Sequence, residues 1–106
     1  MQKNNLEKYE AWAEILKAIA NPIRIFIIEE LQKGEKSVSD FDGLLDIDIS
    51  TISRHLSALK KVGVIESKKV GTQVFYKLKI PCAVNFLSCA QNVLKEKIED
   101  QIKLLK

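Results

Sequence analysis

Apolar positions in this 106-residue chain recur with helical spacing along most of its length, interrupted by two β-type runs between Gly63 and Pro81, and the changeovers fall at proline and glycine. From Leu6 to Ala20 the apolar side chains stand at Tyr9, Ala13, Leu16, Ile19 and Ala20, with Glu7, Glu10, Glu14 and Lys17 between them. That spacing predicts an amphipathic helix. Asn21-Pro22 stops it and starts another, because asparagine caps a helix and proline suits its first turn, where no N–H bond is lost. The second helix, IRIFIIEELQK, closes at Gly34. A short third helix is expected from about Ser39 to Leu45, with Ser39 as its cap and Asp40 and Asp42 set against the positive end of its dipole. In DIDISTISRHLSALKKVG, Ile52, Leu56, Leu59 and Val62 form one apolar stripe, Asp48 stands at the N-cap, and Gly63 ends the helix. Helices three and four, joined by a turn of about three residues, make a helix-turn-helix candidate. Beyond Gly63 the runs VIESKKV and QVFYKL flank Gly71-Thr72 and predict a hairpin. Pro81 opens a last helix carrying Val84, Leu87, Leu94, Ile98, Ile102 and Leu105.

The predicted order is four helices, two strands and a helix, which is mainly α with a small β-hairpin. Its length fits one domain over residues 1–106, with a modest core. Apolar residues make up 46% and charged residues 29%, a folded and soluble balance. No apolar run approaches the roughly 20 residues that span a bilayer, and MQKNNLEKYE lacks the hydrophobic segment of a signal peptide. The expectation is a cytoplasmic protein with no membrane partner, whose cysteines are free thiols, ligands or redox groups rather than a permanent staple.

Charge changes the picture. The net charge is only +3. Lys and Arg balance Asp and Glu over residues 1–36, residues 37–49 are acidic, and residues 50–79 hold seven basic side chains against one acidic. A contiguous basic third is the electrostatic footprint of a nucleic-acid-binding face. In a winged helix-turn-helix, helix four enters the major groove by its N-terminal end. There the apolar stripe leaves Ser50, Thr51, Ser53 and Arg54 outward, an arginine able to read a guanine edge and hydroxyls able to bond bases or phosphates. Lys60 and Lys61, farther along, suit the DNA backbone. Lys68, Lys69, Thr72 and Gln73 flank the glycine turn of the wing. His55 is a phosphate or structural hydrogen-bond residue, and the acidic cluster Asp40, Asp42, Asp46 and Asp48 lacks calcium-loop spacing.

Residues about 13 to 80 resemble the ArsR family of metal- and metalloid-responsive repressors, through ANPIRIFIIEEL and above all through STISRHLSALKKVGVI followed by a basic wing ending in YKL. The resemblance implies a homodimer, built mainly from the first and last helices, that binds double-stranded operator DNA and releases it when an inducer binds. It implies no enzymatic activity, and the sequence offers no C-x-x-C motif, phosphate loop or catalytic acid pair. Two family metal sites are not matched. Where soft-metal sensors carry Cys-x-Cys on helix three, this chain has Ser37-Val38-Ser39, and serine is a poor ligand for such ions. Where zinc sensors carry Asp, His, His and Glu across the last helix, it has Ile80, Cys82, Val93 and Glu96.

That leaves Cys82 and Cys89, the only cysteines. Seven helical residues separate them by about 10.5 Å along the axis. A disulfide needs Cα atoms within roughly 7 Å, and a shared ion holds two thiolates within about 4.6 Å, so a joint site needs a second chain. Antiparallel last helices crossing near Asn85 and Phe86 would set Cys82 of one chain against Cys89 of the other, twice per dimer. No cofactor is obligatory on this reading, and a thiophilic metal or metalloid ion or an oxidant would be the inducer. The plainer reading is that both cysteines pack as small hydrophobes.

Overall fold

Five helices and three strands make up the computed structural model, which describes residues 3–105; the side chains of Lys3, Asn4 and Val84, the last of them part of the expected apolar stripe, lie outside the described residues. Helix α1 (Lys3–Ile19) ends where Asn21 caps α2 (Pro22–Gln32). The Asn21 Oδ1 accepts from the backbone N–H groups of Ile23 and Arg24, at 2.9 and 3.3 Å, and Pro22 occupies the first turn. Asparagine and proline therefore act as the sequence predicts.

The next segment departs from expectation twice. A two-residue strand β1 (Lys36–Ser37) precedes α3 (Val38–Asp42), and the cap of α3 is Ser37, two positions before Ser39. Aspartate placement decides this. Asp40 stands three residues after Ser37, so Ser37 Oγ accepts from the Asp40 N–H while Asp40 Oδ2 accepts from the Ser37 N–H at 2.8 Å. This reciprocal box satisfies two donors that a start at Ser39 would leave open. Helix α3 accordingly ends at Asp42, short of Leu45.

Helix α4 (Ile49–Lys61) buries Ile52, Leu56 and Leu59 completely, and Gly63, at φ +85°, turns the chain out of it. Strands β2 (Ile65–Val70) and β3 (Gln73–Leu78) pair antiparallel as the predicted hairpin, with Val70 opposite Gln73 across Gly71-Thr72. Gly71 takes φ +65° and Thr72 a negative φ, so only the first turn position is left-handed. A glycine there gives the tight turn whose twist suits a hairpin. β1 pairs with the other edge of β3, Lys36 opposite Tyr76 and Ser37 opposite Phe75, giving the order β1-β3-β2.

The core gathers Ile27, Ile28 and Leu31 of α2, Phe41 of α3, the α4 stripe, and Val64 and Ile65 at the start of the wing. Helix α5 (Ala83–Leu105) packs on α2 near its start; Leu87 lies against the core, while Phe86, Val93, Leu94, Ile98, Ile102 and Leu105 face solvent. Tyr9, Trp12 and Leu16 on α1 are exposed as well. The radius of gyration is 17.1 Å, against about 13 Å for a compact domain of this length.

Candidate nucleic-acid interface

The first turn of α4 projects from the core with a hydrogen-bonded chain of side chains. Asp48 is the N-cap residue, as predicted, but its carboxylate makes no bond to the backbone N–H groups of the helix. Instead Oδ2 accepts from Ser50 Oγ at 2.8 Å and Oδ1 accepts from Thr51 Oγ1. Hydroxyls at the second and third helical positions stand where the backbone donors would otherwise be reached, and they win. Thr51 Oγ1 in turn accepts from Arg54 Nη2 at 3.3 Å. The Thr51 and Ser50 bonds, with Arg54 adding a smaller share, hold the Asp48 carboxyl below the usual carboxylate range, so it is ionised at neutral pH.

Ser50 and Arg54 are exposed on this end, and Thr51 and Ser53 are half-buried beside them. His55 is half-buried too, and its Nδ1 accepts from Arg24 Nε at 3.0 Å. Burial, then Arg24, then Arg54 push its pKa below the ordinary 6.5. The ring is neutral, with Nδ1 occupied as an acceptor. Of the two roles expected for His55, this geometry fits the structural hydrogen bond. Arg24 also donates through Nη1 to the carbonyl of Ala18 at 3.0 Å, joining the end of α1, the start of α2 and the middle of α4. Reading the sequence by stripes misses Arg24, because its partner lies 31 residues away.

Lys60 and Lys61 end α4 and are exposed, as are Lys68, Lys69, Thr72 and Gln73 on the wing. Lys68 is paired with Glu35 at 3.4 Å, both side chains exposed. Such a pair contributes little to stability, and the lysine remains open to a phosphate. Apart from His55 in the middle of α4, the expected residues thus fall in three places: the first two turns of α4, its last turn, and the wing.

Cys82 and Cys89 are free and exposed. Cys82 lies just before α5, which starts at Ala83 rather than at Pro81. It borders a cavity of about 210 Å³ lined by apolar side chains of α1, α2 and α5, among them Leu16, Ile28 and Phe86. Among the described residues no three His, Cys, Asp or Glu side chains gather as a metal-binding group, and no helix is long and apolar enough to cross a membrane.

Residues 21–67 match the family described as bacterial regulatory protein, arsR family. The chain is 31% identical over 101 residues to the uncharacterized HTH-type transcriptional regulator Rv0081 of Mycobacterium tuberculosis, covering 92% of this chain and 86% of that protein. It is 42% identical over 72 residues to the uncharacterized HTH-type transcriptional regulator MJ1325 of Methanocaldococcus jannaschii, covering 67% and 81%. Its fold superposes with a TM-score of 0.77 on the homodimeric winged helix-turn-helix DNA-binding domain of Mb0332 from Mycobacterium bovis, a possible ArsR-family transcriptional regulator, at 26% identity and covering 94% and 93% of the two chains.

Proposed function

The chain belongs to the ArsR family of bacterial regulatory proteins, a family of transcriptional regulators and not of enzymes, and on that footing we propose that it is a homodimeric repressor that reads operator DNA with α4 and grips the flanking phosphates with its wing. One observation carries the reading. Helix α4 is pinned on one face by Ile52, Leu56 and Leu59, all fully buried, while its N-terminal end holds Ser50, Thr51 and Arg54 out of the core. A helix held rigidly by its back and polar at its leading end is what major-groove entry requires. Arg54 reads guanine; Ser50 and Thr51 face the bases, Ser53 bonds a base or a phosphate, and Lys60, Lys61, Lys68, Lys69, Thr72 and Gln73 contact the backbone.

The dimer is supported by surface area. The protomer exposes 7973 Å², whereas a folded monomer of this size exposes about 6,000 Å². An excess of roughly 2,000 Å² per chain is of the order that an obligate homodimer covers, and the apolar side chains of α1 and α5 supply it. In the same dimer Cys82 and Cys89 form the inducer site, where a soft metal ion, a metalloid or an oxidant joins thiols of two chains and lowers the affinity for DNA. Their exposure and the bordering apolar cavity support this. Coupling of this kind needs only that the inducer bind the DNA-free form more tightly.

The test is Arg54→Ala on DNA selected by the wild-type protein from a random duplex pool. Losing a bidentate guanine contact should weaken binding by about 1–3 kcal/mol and relax the preference at one position. Unchanged affinity and preference would remove α4 from the recognition role.

A further inference from the structure

Asp48 introduces a negative charge into the surface proposed to meet phosphates, which costs general affinity for DNA. Its two oxygens nevertheless hold the two hydroxyls nearest the leading end of α4. An ionised carboxylate only accepts hydrogen bonds, so the proton in each bond belongs to the hydroxyl. Ser50 has one proton, and it points at Asp48 Oδ2. Toward solvent Ser50 Oγ presents lone pairs alone. It can accept from a base but cannot donate to a phosphate, to guanine O6 or N7, or to thymine O4.

Thr51 is turned the same way, and one of its lone pairs is taken by Arg54 Nη2. Asp48 thus reaches Arg54 through Thr51 as a strut, restricting the guanidinium while leaving its other donors free.

We propose that Asp48 is a specificity-determining positioning residue: it makes Ser50 an obligate acceptor and braces Arg54 through Thr51, so that the operator half-site presents an exocyclic amino group, of adenine or cytosine, next to the guanine read by Arg54. Among major-groove edges only adenine N6 and cytosine N4 offer such a donor. The inference rests on α4 being the recognition helix, and its test separates the two claims.

Duplexes are selected from a random pool by the wild-type protein and by Asp48→Asn, Ser50→Ala and Arg54→Ala. Asparagine remains a good N-cap residue, and a thermal melt of each variant confirms the fold. The amide introduced by Asp48→Asn should keep its oxygen on Thr51 Oγ1, the closer of the two hydroxyls, and turn its NH2 toward Ser50 Oγ, which frees the Ser50 proton. The wild type should enrich adenine or cytosine beside guanine. Asp48→Asn and Ser50→Ala should lose that neighbouring preference, by on the order of ten-fold, while retaining the guanine. Asp48→Asn should also bind calf-thymus DNA more tightly than the wild type does, since it no longer opposes the phosphates, whereas loss of a merely structural residue would weaken both. If Asp48→Asn selects the wild-type motif with wild-type discrimination while Arg54→Ala loses the guanine, the Asp48 assignment is wrong and the recognition helix stands. If Arg54→Ala also changes nothing, the recognition helix itself is misassigned.

Discussion

At the scale of single residues the informative contacts are those that tie a side chain to a distant or unexpected partner. His55 is one. Its neutral ring accepts from Arg24, and burial together with Arg24 and Arg54 lowers its pKa below 6.5. The unfolded chain then holds the extra proton more readily than the folded one. Stability from this group is complete above about pH 6.5 and is lost as the pH falls through the lowered folded value. Thermal melts between neutral and mildly acidic pH should therefore show a loss for the wild type that His55→Gln, which can still accept from Arg24 but does not titrate, lacks; parallel curves for the two proteins would contradict this. The residue type at position 55 was legible in the sequence, and its partner was not. Asn21 was legible because cap and proline are adjacent. Ser37 was missed because Ser37 and Ser39 are both good caps, and only the reciprocal bond with Asp40 chooses between them.

Among the elements, α4 could be read from its period, since one buried face demands its stripe, and the wing from two β-type runs around Gly71-Thr72. Strand β1 could not. Two residues make no period, and Lys36 and Ser37 are extended because Tyr76 and Phe75 of β3 pair with them. The start of α5 is a smaller case: Pro81 marks the neighbourhood of a helix start, but the helix begins two residues later. Cys82 thus precedes the first turn, beside the apolar cavity, and the proposed inducer chemistry is tested at this element. Oxidation by diamide takes two protons and two electrons from a pair of thiols as the S–S bond forms, and the azo group becomes a hydrazine. Cys82→Ser should bind DNA as the wild type does but no longer be released by diamide, and the wild type alone should run as a covalent dimer on a non-reducing gel. A wild type that diamide neither releases from DNA nor cross-links would instead favour thiols that only pack.

On the scale of the whole molecule, composition announced a folded chain and charge announced a basic third, but neither showed how little of α1 and α5 one protomer buries. The amphipathic pattern of both helices is visible in the sequence; which stripe meets the core and which awaits another chain is decided by three-dimensional packing. Ile98, 57% exposed well along α5, is suited to test the second case. Replacing it with glutamate would leave the protomer core untouched while placing a charge in the proposed interface, where an unpaired buried charge is costly. Sedimentation should show Ile98→Glu as a monomer, with a normal wing and α4 but DNA binding weaker by on the order of a hundred-fold or more, as expected when two tethered half-site contacts become one. A dimeric variant would place the interface elsewhere.

The exposed faces of α1 and α5 also bear on gene dosage. If operator occupancy requires two chains to complete each other, then at low expression the competent species rises with the square of protomer concentration. Halving synthesis would then quarter the active regulator. A promoter under such control would pass from silent to active over a narrow range of protein level, so that dilution at cell growth alone would act as a signal.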